Sequence, residues 1–414
     1  STDGDIDQAS GTTILVDGET TLTATDGQDP ATDYSIALDG ANNDFGGVVN
    51  AQGADITLAD GSGGLTLGNI DASGAFDATS TDGVIDQESG STISVTGETT
   101  LAASDNGNAA DITLDGANND FGGVVNAQGG DITLADGSGG LTLGNIDASG
   151  TFGATSTDGD IDQASGTTIL VDGETTLTAT DGQDPATDYS IALDGANNDF
   201  GGVVNADGAN IELIDGVGGL TLGNIDASGT FGATSTDGDI DQANGTTILV
   251  DGETTLTATD GQDPATDYSI ALDGANNDFG GVVNADGANI ELVDGVGSLT
   301  LGDMNASGEL DASATSGDLN LDGQITAQNL VLEADGSILQ TEGSTFSVTT
   351  GTVTLDATNS VTLDSGNDYG TAGLAIGREG STADITIDAP IESTGAIAVY
   401  GGDVTLAAGL TAGT

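Results

Sequence analysis

A fourteen-residue string limits what this chain can fold into. LDGANNDFGGVVNA, at residues 38–51, returns unchanged at 114–127, 193–206 and 272–285. Its phenylalanine marks the beat: Phe45, Phe121, Phe200 and Phe279 stand 76, 79 and 79 residues apart. A weaker fifth copy reads NDYG at 367–370. A fixed period of this size calls for a repeat architecture, in which each unit buries its apolar surface against its neighbours. Four strong repeats occupy 1–79, 80–155, 156–234 and 235–313, and 314–414 is a degenerate continuation of the same pattern. Residues 1–51 recur without change at 156–206. Ser1 falls inside a repeat, so the sequence reads as a segment of a longer or processed chain.

Within each repeat a finer rhythm appears. Apolar residues step by two, as in Ile36 and Leu38, Ile56 and Leu58, or Leu65 and Leu67, with Thr, Asp and Ser between them. Asp-Gly, Asn-Ala and Ser-Gly punctuate these runs. Alternation with β-branched residues and turn punctuation is the signature of short strands. No segment carries a helical apolar stripe, so almost no helix is expected.

Two folds can host this pattern. In a parallel β-helix each coil takes roughly 20 residues and stacks ~4.8 Å above the last, giving about four coils per repeat. In the alternative, each repeat is a separate β-sandwich with its own aromatic core. The visible subrepeat and the 3% aromatic content favour the β-helix, with Phe45 and Phe76 closing coil interiors. Its narrow core suits Val, Ile, Leu and Ala, and its corners suit Gly and Asn. Asn42, Asn43 and Asn69 are candidates for corner ladders or for solvated turns. In repeat two, DGQDPATDYSIAL (26–38) becomes DNGNAADITL (105–114), a three-residue deletion that belongs on a loop and should leave the coil register intact.

The strings NDFGGVVN, DITLADG, LTLGNIDASG, GDIDQ and TTLTA resemble the tandem repeats of filamentous haemagglutinin-like exoproteins, large surface proteins exported by two-partner secretion. The resemblance covers nearly the whole chain. It implies a right-handed parallel β-helix shaft, secreted unfolded and folded outside the cell, with adhesive or fibrous roles. The NPNG-type motif of that family's secretion domain does not occur here, and the near-total lack of basic residues is a second departure.

Charge is the other strong signal. The 414 residues hold 68 acids against one base, Arg378, for a formal net charge of −67. On a solenoid of ~20 coils at ~4.8 Å, that approaches the linear charge density of duplex DNA, about one charge per ~1.7 Å. Nucleic acid is excluded as a partner on sign, and an anionic membrane surface is disfavoured. No stretch has the length of a membrane-spanning helix, so no membrane insertion is expected.

The loop DGQDPATD gathers Asp26, Asp29 and Asp33, and its copies gather Asp181, Asp184, Asp188 and Asp260, Asp263, Asp267. Hard oxygen ligands of this kind suit calcium, although the spacing is not that of an EF-hand and repeat two lacks the set. The alternative is a solvated acidic loop with diffuse cation binding. No cofactor is required. With no Cys, His or Lys, most acid–base and nucleophilic schemes are closed, and no enzyme activity is expected. A polysaccharide-acting β-helix enzyme is the remote alternative, since two carboxylates suffice for glycoside hydrolysis. The expected role is a non-catalytic extracellular rod, the shaft of a secreted filamentous adhesin or surface fibre. The alternative is a self-assembling filament or matrix protein, diffusely or specifically calcium-bound. Partners would be further copies, end to end or side by side, and a host or neighbouring cell surface reached through parts outside this chain.

Overall fold

The computed structural model describes residues 1–28, 33–183, 187–262, 266–348, 350–407 and 409–412. They form strands, turns and bends, with no helix among them. The strands pair in parallel between successive coils, so the fold is a parallel β-solenoid of about 17 turns. Two compact units divide it, Ser1–Ala209 and Asn210–Thr414.

In the first unit, one ladder runs Ile6, Ile36, Ile56, Phe76, Thr99, Val125, Leu143. From the same strand as Leu143, Leu141 carries it on to Ile161 and Ile191. A second ladder runs Thr20, Val49, Leu67, then from Leu65 to Ile85, Ile112, Ile132, Phe152, Thr175 and Val204. Each ladder forms one wall. Short Val–Phe steps pair Val16 with Phe45, Val95 with Phe121 and Val171 with Phe200; Val95 stacks on Ala72 at the end of a second-ladder strand and Val171 on Ala148 at the end of a first-ladder strand. The second unit repeats this plan, with one ladder from Ile211 through Phe231, Thr254 and Val283 and another from Leu220 through Ile240, Ile270 and Ile290.

The ladders fix the coil count per repeat at three and a half, where about four were expected. Ile6 lies in the first ladder, its repeat-two counterpart Ile85 in the second, and Ile161 in the first again. Seven steps separate Ile6 from Ile161. Loops lengthen some coils: the step from Ile6 to Ile36 takes in the DGQDPATD loop, whereas Ile36 to Ile56 does not. Sequence-identical surfaces therefore alternate between opposite walls within a unit.

Packing follows the alternation. Ile36, Leu38, Ile56, Leu58, Leu65 and Leu67 are buried, while the residues between them are partly exposed. Every phenylalanine sits in the interior. Phe76 does not close a coil; it is stacked between Ile56 and Thr99. The strand Leu65–Ala72 turns a corner at Gly68. Leu65–Leu67 pairs onward with Ile85–Gln87, and Ile70–Ala72 with Ile93–Val95. A side chain at Gly68 would lie 2.4 Å from Asn50 Oδ1, so the close approach demands glycine.

The deletion in repeat two changes only the loop. Residues 105–109 make a tight hairpin with Asn106 and Gly107 at φ 50° and 81°, the left-handed pair that a two-residue turn requires. On either side the register is kept: Ile85 still pairs with Ile112, and Val95 with Phe121.

Candidate functional site

The acidic loops leave the wall after a buried alanine and return at a tyrosine. The Tyr34 and Tyr189 N–H groups donate to the Ala24 and Ala179 carbonyls, and Tyr268 N–H to Ala258, each at 2.8 Å. Antiparallel bridges close the necks: Thr25 to Asp33, Thr180 to Asp188, Thr259 to Asp267. Asp26, Asp181 and Asp260 stand just inside. Asp181 Oδ1 accepts from the Thr187 N–H at 2.9 Å and the Gln183 N–H at 3.0 Å, and Asp260 Oδ1 accepts from Thr266 and Gln262 in the same way. These bonds favour the ionised form and hold both carboxyls below the usual range. Asp26 Oδ1 accepts from the Gln28 N–H. The middle members, Asp29, Asp184 and Asp263, lie outside the described residues. Of each triad, then, one carboxylate organises its own loop and one sits at the neck. Among the described residues no group of three or more His, Cys, Asp or Glu side chains is gathered to hold a metal ion.

Stacking brings other carboxylates together. Asp311 is the register neighbour of Glu291. Burial, then repulsion from Glu291, Glu333 and Glu309, pushes its carboxyl above the usual range. Asp86 is raised by burial and by Asp111 and Asp115, Asp162 by burial and by Asp160 and Asp194, and Asp241 by burial and by Asp239 and Asp273. Such stacks draw counterions and need no dedicated ligand set. Arg378 lies 3.2 Å from Asp356 and is 75% exposed.

Not all carboxylates face outward. Asp60, Asp136, Asp215 and Asp294 are buried, one in each strong repeat. Asp60 accepts from the Ser62 N–H at 2.9 Å and the Phe45 N–H at 3.2 Å; Asp136 does the same with Ser138 and Phe121. Asp60 and Asp136 thus tie the end of one strand to the phenylalanine strand of the preceding coil, and Asp215 and Asp294 accept from the Val217 and Val296 N–H groups at 3.0 Å. Burial outweighs these bonds and pushes Asp136 and Asp294 up to about 6. The signal was in the alternation: in ITLAD, Asp60 shares the inward parity of Ile56 and Leu58.

A second polar device spans coils. The glutamine of GDIDQ meets the second asparagine of GANND. Gln8 pairs with Asn43, Gln87 with Asn119, Gln163 with Asn198 and Gln242 with Asn277, each through two amide hydrogen bonds. The fifth, degenerate copy keeps the pair as Gln340 and Asn367. Asn43 is thus a buried cross-coil partner. Asn42 is an exposed turn residue. Asn69 does belong to a ladder: its N–H donates to Asn50 Oδ1, and its own Oδ1 accepts from the Thr92 N–H. Neither the glutamine nor its partner was legible as a pair, because they stand 32 to 35 residues apart in the strong repeats.

The surface offers hydroxyls, amides and carboxylates in shallow grooves. One, of about 340 Å³, lies beside the repeat-two hairpin between Ser104, Asn108 and Gln128. No helix in the described residues is long and apolar enough to cross a membrane.

A family model described as "Repeats of unknown function (DUF5649)" matches residues 1–52, 53–128, 129–207, 208–286 and 312–376. Its segments start about a third of a repeat before the boundaries at 79, 155 and 234, but they keep the same period, and in a solenoid either phase is an equivalent cut. No curated protein and no solved structure matches the chain. With five tandem matches spanning most of its length, the chain belongs to this family of repeats of unknown function.

Proposed function

We propose that this chain is a non-catalytic spacer of an extracellular protein, the shaft of a secreted filamentous adhesin or surface fibre. The observation that carries the reading is the coil register across repeat two. A loop loses three residues, and Ile85–Ile112 and Val95–Phe121 pair as their counterparts do. Stability of this kind resides in nearest-neighbour coil contacts, so repeats can be added or removed without redesign. The exact duplication of residues 1–51 at 156–206 fits selection for length over a unique pocket. No catalytic role is assigned: the side chains supply neither a thiol nor an imidazole nor a lysine. The resemblance to filamentous haemagglutinin-like repeats supports a place outside the cell. Binding to another cell or matrix would then lie in parts beyond these 414 residues.

A second reading, a self-assembling matrix filament, draws on the stacked carboxylates around Asp311, where cations would screen or bridge neighbouring copies. One experiment separates the two. Cells displaying the full protein are tested for adhesion with and without excess purified 414-residue chain, and with residues 156–313 deleted. A spacer gives adhesion that survives the deletion with shorter reach and is not competed. If the purified repeats compete, the repeats themselves bind and the spacer reading fails.

A further inference from the structure

We propose that Asn244 is an N-glycosylation acceptor for an oligosaccharyltransferase that uses a lipid-linked sugar donor. After each GDIDQ strand, and after its variants GVIDQ (83–87) and GSILQ (336–340), the chain makes the same exposed turn, and a hydroxyl closes it. Thr12, Ser91, Thr167, Thr246 and Ser344 donate to the carbonyls of Ala9, Glu88, Ala164, Ala243 and Thr341 at 2.6–2.9 Å. The second turn residue is Ser10, Ser89, Ser165, Asn244 and Glu342 in turn, always followed by glycine. Only the fourth copy therefore reads Asn-Gly-Thr, the acceptor triplet in which a hydroxyl two residues on marks the asparagine.

The geometry suits an enzyme that must surround the amide. Asn244 is exposed, and its side chain makes no hydrogen bond among the described residues. Gly245 sits at φ +83°, and a side chain built there would meet nothing within 4 Å, so the turn stands clear of the solenoid. Below it the turn is anchored, because Gln242 Nε2 donates to the Thr246 carbonyl at 3.1 Å. The Thr246 hydroxyl oxygen keeps lone pairs while it donates to Ala243. A second triplet, Asn305-Ala306-Ser307, is poorly placed: Asn305 lies in the strand Leu299–Ala306 and its Nδ2 donates to Asp286 Oδ1 at 2.9 Å.

The step is a simple substitution. Asn244 Nδ2 forms a bond to the anomeric carbon as the bond from that carbon to the lipid pyrophosphate breaks. The amide proton passes to a base on the transferase, the lipid pyrophosphate leaves with its electron pair, and nothing is oxidised or reduced. In the cell the proposal rests on the extracellular reading, since only an exported chain meets a lipid-linked donor.

The test is run in vitro so that the two stand or fall separately. Purified chain is incubated with an oligosaccharyltransferase of Asn-x-Ser/Thr specificity and a lipid-linked oligosaccharide, and the peptides are read by mass spectrometry. The expected result is sugar on Asn244, lost in Asn244→Ser and in Thr246→Val and retained in Thr246→Ser. Asn244→Ser restores the sequence of repeat three, so it keeps the fold. An unmodified Asn244 beside a modified control peptide, or modification at Asn305 in its place, overturns the proposal. Secretion is followed separately by fractionation, and its failure would leave the in vitro result untouched.

Discussion

Gln163 and Asn198 exchange two amide hydrogen bonds, each 2.8 Å long, between adjacent coils. Asn198 is wholly buried, and its amide is fully used. Oδ1 also accepts from the Ile169 N–H at 2.9 Å, and Nδ2 also donates to the Leu193 carbonyl. Removing it leaves the Ile169 N–H unpaired and takes one bond each from Gln163 Nε2 and Oε1, which keep only the Thr167 carbonyl and the Gly195 N–H. Leaving a buried donor or acceptor unpaired costs ~1–3 kcal/mol. Asn198→Ala should therefore lower stability by about 2–4 kcal/mol, with hydrogen exchange quickening first in 163–169 and 191–200. Exchange rates there equal to wild type would show that the pair contributes nothing.

Thr175 lies over Phe152 in the core, fully buried, and its hydroxyl finds no partner among the described residues. Thr99 over Phe76 and Thr254 over Phe231 are in the same position. A buried hydroxyl without a hydrogen bond costs ~1–3 kcal/mol by mutational measure. Valine keeps the branched shape that the strand favours. Thr175→Val should raise stability by about 1 kcal/mol in urea unfolding, and the triple valine variant by more. A loss of stability would mean that the hydroxyl is hydrated or bonded.

Two glycines of unit one give opposite expectations. A side chain on Gly123 would lie 2.2 Å from the Gly97 carbonyl oxygen, whereas at Gly153 the nearest atom is 3.8 Å away. Overpacking of this kind typically costs ~1–3 kcal/mol, and Gly→Ala in a relaxed strand stabilises by about 0.4–1 kcal/mol. Gly123→Ala should melt lower than wild type and Gly153→Ala higher. Repeat one already carries Asp77 where repeat two has Gly153. Equal melting points for the two variants would contradict the corner packing.

Acid should stabilise this protein. Burial raises Asp136 and Asp294 from 3.8 to about 6. Between those values the folded state holds protons that the unfolded chain has released. The stabilisation is complete below the lower value and lost as pH rises through the upper one. At ~1.4 kcal/mol per pH unit, each group is worth up to about 3 kcal/mol. Asp181 and Asp260 act in the opposite sense, but only below the usual carboxyl range. Melting temperature should fall from pH 4 to pH 7, and Asp136→Asn should flatten the slope. A melting point that climbs over that range would refute the assignment.

Salt should stabilise it too, because stacked groups such as Glu291, Asp311 and Glu333 repel across coils. Charges closer than ~8 Å still interact at physiological ionic strength, so NaCl should raise the melting point. Millimolar MgCl₂ and CaCl₂ should raise it further. If the loops at 26–33, 181–188 and 260–267 are calcium sites, calcium will act far below the magnesium concentration and saturate at about three ions per chain. Calorimetric titration of the chelated protein reads that stoichiometry directly. Similar curves for the two ions would leave only the diffuse atmosphere.

The strand rhythm, the inward residues and the parallel stacking were legible in the sequence. Alternation fixes which side of a strand is apolar, and a tandem period leaves stacking as the way to bury it. Ile36, Ile56 and Leu65 could be placed in the core from parity alone. So could Asp60, whose parity is that of Ile56 and Leu58 although its charge points the other way. The loop at 105–109 was legible as well, because a three-residue change has to fall where no ladder crosses. The count of three and a half coils per repeat was not. It depends on how much chain each corner and loop consumes, and that follows from the bulge at Gly68 and from the bridges at the loop necks. The Gln163–Asn198 pair and the stack of Thr175 on Phe152 were equally hidden. Each joins residues on different coils, and only the completed register determines which side chains meet across a 4.8 Å step.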